Sequence, residues 1–251
     1  MKKKRKQLTF NDQQFPLQMQ GVVDIYEKLQ IDLFDRMIKR LKERGSIDLM
    51  RNPYIWQLEK LNDMHMLNEQ NLKLISERTG IAERLLRDVI ENEGLKVYTD
   101  TRQQLEEDLN KIPKGEISNG VTDSLEAYSR QVVSDLNLIN TTLPNSLQVA
   151  YKSIVEETVA QVVAGTKTSD VALHDTIMKW HKNAFTGFVD KGGRHWKADS
   201  YARAIIKSTT YKVYNEMRTR PAEELGVDTF YYSMKAMARP ACSPLQGQIV
   251  T

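Results

Sequence analysis

The residue types able to make or break bonds are few in this sequence and stand far apart. Cys242 is its one cysteine, a thiolate nucleophile only where a base approaches it, and the nearest histidine in the chain, His195, has no positional claim on it. His174 and His181 lie two helical turns apart, too far for the i,i+4 pairing of a helical zinc site, and no third ligand stands at a suitable spacing. The carboxylate pairs Glu106-Glu107 and Glu156-Glu157 are sequence neighbours on helices and point to different parts of the surface, which makes them poor acid and base partners. Gly192-Gly193-Arg194 lacks the spacing of a dinucleotide loop and the Lys-Ser/Thr that would make it a phosphate loop. The chain therefore reads as non-enzymatic, with no catalytic residue, no metal site, no cofactor and no small-molecule substrate.

What remains is charge. Lys2, Lys3, Lys4, Arg5 and Lys6 form an unbroken cationic block without an apolar partner, which reads as a flexible arm, either solvated or set against DNA phosphates. A second basic string, Lys197, Arg203, Lys207, Lys212, Arg218 and Arg220, falls on one helical run. Arg203 and Lys207 are one turn apart on its outer side with Tyr211 and Tyr214 nearby, so this strip is a candidate for lying against DNA or an acidic protein, as well as an ordinary solvated face. Overall the charge is nearly balanced at +3, which by itself argues for no polyanionic partner.

The elements that must carry these residues are mostly helical. Charged residues make up 27% of the chain against only 12 glycines and 7 prolines, a balance that favours helices over a β-sandwich. Val22, Ile25, Leu29, Leu33, Met37 and Leu41 step by three and four, which predicts a long amphipathic helix over 21–44 with Tyr26, Phe34 and Ile38 widening its apolar side. Asn52-Pro53 predicts a helix start. The stretch 71–94, with Thr79-Gly80-Ile81 between two apolar runs, has the outline of a helix-turn-helix, yet its second half carries Glu83, Arg84, Arg87, Asp88 and Glu91 and no amide before Asn92 to read base edges. We read it as an αα-hairpin. A weakly anchored helix over 96–120 marks the candidate internal boundary. Thr122 and Pro144 then start a helical pair with a turn at Asn140-Thr141-Thr142, ending at Gly165. The next helix, from Ser169 or Asp170, places Val171, His174, Met178, His181 and Phe185 on one side. A loop over 182–196 hinges at Gly192-Gly193. Asp199 caps the basic helix, Leu225-Gly226 ends it, and a strand over 229–233 is followed by a second apolar pair, Ile249-Val250, with which a hairpin or the opening of a small sheet begins. No run approaches the roughly 20 apolar residues needed to span a bilayer, and the lone cysteine excludes an intramolecular disulfide framework.

The order of basic helix, Leu225-Gly226-Val227-Asp228, aromatic strand, and Arg239-Pro240-Ala241-Cys242-Ser243-Pro244-Leu245-Gln246-Gly247-Gln248 resembles the phage minor capsid family related to Mu F-like, portal-associated head proteins. Asp24-Ile25-Tyr26, Asp32-Leu33-Phe34, the Trp56-Gln57-Leu58 helix and Leu136 to Thr142 fall in the expected order, so the resemblance spans nearly the whole chain. Arg239, Pro240, Cys242, Gln246 and Gly247 are its motif residues. Leu245 stands where many relatives carry Trp, and Cys242 is unpaired, so a family metal knuckle is not carried over. The resemblance implies a mainly α protein: a basic arm over 1–20, a portal-docking helical region over 21–120, a central helical pair over 121–166, and a small α/β module over 167–251 ending in a short hairpin. It also implies a virion component in the capsid interior, made in the host cytoplasm, with the portal, other head proteins and packaged double-stranded DNA as partners in head morphogenesis, packaging and ejection. Two other readings stay open: a DNA-binding protein using the basic arm and hairpin, and the start of an effector or toxin-like domain.

Overall fold

Asn52 accepts a hydrogen bond from the Ile55 amide at 3.4 Å, and Pro53 occupies the first turn that follows. This cap starts the longest element of the protein, a 56-residue helix that extends about 84 Å at ~1.5 Å per residue. The structure, a computed structural model, describes residues 19–43, 45–110, 117–183, 188–190, 192–231, 240–241 and 243–250. In chain order the elements are α1 (Gln20–Lys42), α2 (Gly45–Arg51), α3 (Pro53–Asp108), α4 (Asn119–Val163), α5 (Ser169–Asn183), β1 (Phe188–Val189), β2 (His195–Trp196), α6 (Ala198–Glu224), β3 (Phe230–Tyr231), a short 3-10 turn (Ser243–Leu245) and β4 (Ile249–Val250). The fold is mainly α, as expected. The Lys2 to Lys6 arm lies outside the described residues.

α3 and α4 run antiparallel: Gly94 of α3 meets Leu125 of α4 near one end, and Met64 and Leu67 line a small cavity with Leu147 and Tyr151 near the other. α1 packs antiparallel to α3, with Asp32, Arg36 and Arg40 reaching Arg78, Gln70 and Asp63 in turn. α6 closes the bundle against α1, α3 and α4, with Ala202, Ile206, Val213 and Met217 in the same apolar core as Leu29, Leu33, Ile90 and Val132. The apolar stripe read on α1 is the face it buries, Tyr26 and Phe34 included.

Three expectations fail in the same way. The αα-hairpin over 71–94 is one uninterrupted stretch of α3, so neither a turn at Gly80 nor a recognition helix exists there. The 96–120 segment begins as the last turns of α3, anchored by buried Val97, Tyr98, Thr101 and Glu106; its closing residues 111–116 lie outside the described residues. The central pair is the single 45-residue α4, with Pro144 inside it and Leu143, Pro144 and Leu147 buried. The hydroxyls of Thr141, Thr142 and Ser146 donate back to carbonyls of the preceding turn around that proline. A glycine costs a helix about 1 kcal/mol and a proline about 3, less than the burial of several core side chains returns at ~25 cal/mol per Å². Gly94 also has a positive reason to be there. A Cβ at this position would lie 2.3 Å from Leu125 Cδ2 and 3.2 Å from Val213 Cγ1, so its bare Cα lets α4 and α6 close on α3.

The two helical glycines should respond in opposite directions. Gly80 has only Arg84 Nη1 at 3.9 Å around a built Cβ, so Gly80→Ala is expected to stabilise the fold by about 0.5–1 kcal/mol. Gly94→Val is expected to destabilise it by about 1–3 kcal/mol through overpacking. Midpoints of urea unfolding, at constant slope, check both.

The helix ends nearer the C-terminus follow the sequence more closely. Gly165 sits at φ +66° with the Thr166 amide donating to Gln161 O, and Gly226 at φ +75° with the Val227 amide donating to Ala222 O, each a Schellman closure. α5 turns its expected face outward. Ala172, Leu173, Thr176 and Ile177 are buried, whereas Val171 and Met178 are exposed, along with His174 and His181. Both sides of α5 carry apolar residues, and packing against α4 selects the Leu173 side. β3 and β4 pair antiparallel, with Phe230 opposite Val250 and Tyr231 opposite Ile249, as expected of the C-terminal hairpin.

Candidate functional site: the Asp190 hairpin and two exposed helix faces

The segment read as a loop over 182–196 contains a hairpin. β1 and β2 pair with Phe188 opposite Trp196 and Val189 opposite His195, and Gly193 makes the reversal at φ +77°. Asp190 holds it shut. One carboxylate oxygen accepts from the Gly192 and Arg194 amides at 2.8 and 2.9 Å, the other from Arg194 Nε at 3.1 Å and the Trp196 indole at 2.9 Å. The Arg194 amide bond, then the indole bond, hold its pKa down at about 2. This hairpin forms one wall of an open groove of about 400 Å³ whose other walls are Ser134, Asp135 and Leu138 of α4 and Tyr201, Ala204 and Ile205 of α6. Both Asp190 oxygens are engaged within the hairpin, so the carboxylate acts as a clasp and not as a base.

The clasp has a pH signature. A carboxylate whose folded pKa lies below its unfolded value of 3.8 contributes stability fully present above that value and lost as pH falls through about 2. The Gly192 and Arg194 amides should therefore stay protected from exchange down to about pH 3 and lose protection below it. Asp190→Asn should expose them already at neutral pH, because its amide group would face two donors. Amide exchange followed by NMR reads both outcomes.

The histidines do not converge. His181 tilts against the Phe34 ring of α1 at 5.3 Å, and His195 sits in β2. Among the described residues no group of three or more His, Cys, Asp or Glu side chains is placed to hold a metal ion. Of the C-terminal motif, Arg239 and Cys242 lie outside the described residues, and Pro240 is an exposed turn residue. The Gln246 backbone N–H donates to Ser243 O, and Gly247 adopts φ +75° before β4. In this chain the Gln-Gly pair is thus explained by backbone geometry, since a left-handed residue suits glycine.

Two faces are not absorbed by the core. On α3, Tyr54, Leu58, Leu61, His65, Asn68 and Leu72 alternate at steps of four and three, the spacing of a helix-packing seam, with Leu61 and Asn68 on its core-facing edge. Tyr54, Leu58 and Leu72 are 61%, 68% and 47% exposed. Sequence reading missed this seam because it broke the helix between 61 and 71; the alternation itself was the available signal. The second face is the outer side of α6. Arg203 and Lys207 are exposed there as expected, although Arg203 donates to Gln20 Oε1 of α1 at 2.9 Å. Arg220 is drawn inward to Ser124 and Glu216 and leaves the strip.

A family model described as phage minor capsid protein 2 matches residues 10–251. The chain belongs to that family. It is also 29% identical over 238 residues to a protein of Lactococcus phage LL-H named structural protein, a match covering 90% of this chain and 64% of that relative. This minor capsid family member thus spans somewhat under two thirds of the length of the curated relative it matches. No solved structure matches it. The resemblance drawn from the basic helix, the aromatic strand and the Gln246-Gly247 turn is borne out at the level of the family, and none of the described helices is long and apolar enough to cross a membrane.

Proposed function

We propose that this chain is a structural component of the virion, held inside the capsid at the portal, where it assists head morphogenesis and the packaging and ejection of DNA. Membership of a minor capsid family supports the structural role. The observation that carries the contact with neighbouring subunits is the α3 seam. Over about 27 Å of helix at ~1.5 Å per residue, Tyr54, Leu58 and Leu72 stand exposed with His65 among them, flanked by Met50 of α2 and by Ile55 and Met66 of α3 at 65%, 53% and 57% exposure. Large apolar side chains left exposed along one stretch of helix suit a protein contact, and a four-three alternation suits a partner helix. The portal protein is the partner this reading commits to.

The test is co-purification. The full chain, co-expressed with portal and coat proteins, is expected to sediment with heads and to be pulled down by portal alone. Leu58→Asp with Leu72→Asp should keep the helical circular dichroism and lose the portal. Entry of the double variant into heads at the wild-type level would remove the seam from the reading. Absence of the wild-type chain from heads would remove the role itself.

A further inference from the structure

We infer that the outer face of α6 is a binding surface for the phosphate backbone of double-stranded DNA, with Arg203, Lys207, Lys212 and Arg218 as its contacts. The inference rests on the virion reading only for the identity of the DNA, the packaged genome, because the surface itself follows from the structure. These four cations are exposed across the outward half of α6, over about 22 Å at ~1.5 Å per residue; at about 100° per residue Arg203, Lys207 and Arg218 share one sector and Lys212 stands toward the opposite edge. Among the described residues none of them forms an ion pair; Arg203 is bonded to the neutral Gln20, and Arg218 lies over the Tyr214 ring at 5.4 Å and donates to its hydroxyl.

The absence of carboxylates from this face has a structural cause. Glu216 is the sole acidic residue between 203 and 219, and it is turned inward, where it accepts from the Tyr128 hydroxyl at 2.6 Å and pairs with Arg220. Elsewhere on the bundle surface several cations are matched along the helix, as Arg87 is with Glu83, Arg130 with Glu126 and Lys152 with Glu156. On α6 the fold leaves the positive charge unmatched and withdraws the negative charge. Asp24 approaches one end through its bond to Gln20, so the field is strongest from Lys207 onward.

Between the cations stand Ala204, Ser208, Asn215 and Thr219, short side chains that let a backbone approach closely, with Tyr211 as the one large exposed ring. An acidic protein surface is the less suitable occupant. Protein interfaces deplete lysine at their centres and anchor on several aromatic or apolar side chains, whereas duplex DNA offers one charge per ~1.7 Å of axis to a row of cations. With a single amide on the face, contact is to phosphates and indifferent to sequence.

The experiment uses the full chain and random-sequence 30-base-pair duplexes, with affinity measured across salt concentration. Four phosphate contacts give a log–log salt slope of about −3.6, so affinity should fall roughly a hundredfold between about 50 and 200 mM salt. The Lys207→Gln, Lys212→Gln, Arg218→Gln variant, its fold checked by circular dichroism, should weaken that slope by about 2.7. Deletion of residues 2–6 separates the arm. Loss of binding on that deletion, with the triple variant unchanged, would overturn the inference. So would triple-variant binding with unaltered slope, or a wild-type chain that fails to bind at low salt. A triple variant that loses the head but keeps its DNA slope would assign the face to an acidic protein instead. Head co-purification is scored separately, so a chain that binds DNA through α6 yet is absent from heads would sink the virion reading and leave this one standing.

Discussion

Trp56→Ala is expected to destabilise the fold by about 3–5 kcal/mol, on the order of 10 °C in Tm for a chain of this length. Trp56 is 1% exposed and packs where α1 ends against the start of α3. Lys60, one turn on and 2% exposed, lies with its ammonium 5.9 Å from the indole ring centre. That ammonium donates to the Arg40 carbonyl at 2.7 Å and to the Glu43 carbonyl. The last carbonyls of a helix have no intrahelical donor, so Lys60 closes the C-terminal end of α1 from a different helix. Burial lowers its pKa, opposed by the nearby Asp63 and Glu43 carboxylates. Lys60→Met, which keeps the stem and removes the charge, is expected to cost about 1.5–3 kcal/mol from the lost charged hydrogen bonds. The double variant should cost less than the sum, since the ring and the ammonium share one site. Chemical unfolding of the four proteins gives the cycle. A Trp56→Ala loss under about 1 kcal/mol would show that this junction does not anchor α1.

The second large effect is alkaline unfolding driven by buried phenols. Burial raises the pKa of Tyr26, Tyr98 and Tyr151 above the ordinary 10.0, assisted by Glu83, by the bond to Glu224 and by Asp63 respectively. Burial and the Glu216 bond push Tyr128 up to about 12. A phenol with a raised folded pKa contributes stability that is complete below pH 10 and is lost as pH climbs toward the folded value, because the unfolded chain releases its proton first. Each such group removes about 1.4 kcal/mol per pH unit in that window. Tyr26 and Tyr151 together remove roughly 3 kcal/mol per unit, which exhausts a typical stability of ~5–15 kcal/mol within a few units, and Tyr98 adds in the same direction. Lys60 acts with the opposite sign, as its lowered pKa adds stability while pH rises toward 10.5, but it is one group against several. Phenolate absorbance and helical circular dichroism should therefore change together above pH 10. Tyr151→Phe should move the midpoint upward and cost little at neutral pH, since the buried Tyr151 hydroxyl has no hydrogen-bond partner among the described residues. Phenolate formation well ahead of helix loss would contradict this linkage.

The charged site was partly legible in the chain. The string from Lys197 to Arg220 pointed to Arg203 and Lys207, and helical spacing placed them outward. The inward turn of Glu216 was not legible, because it depends on Tyr128, 88 residues away in sequence. Nor was the departure of Arg220 from the strip, which follows from Ser124 on α4. The α3 seam was hidden by the break read between 61 and 71, since ending the helix there destroys the register on which the seam appears.

The sequence by itself determined the mainly helical class, the α1 face, the start at Asn52-Pro53, the closures at Gly165 and Gly226, and the pairing of Phe230-Tyr231 with Ile249-Val250. Each of these is set within a few residues, by periodicity, by a cap or by a left-handed glycine. Tertiary structure alone decided that helices continue through Gly80, Gly94 and Pro144, and which side of α5 is buried. It also decided the start of α6, where the Ala198 amide donates to Gln30 of α1 at 2.8 Å and Asp199, expected as the cap, sits in the first turn. The reason is energetic: a local break signal is worth about 1–3 kcal/mol, and contacts between residues dozens of positions apart in sequence outweigh it only once the bundle has formed.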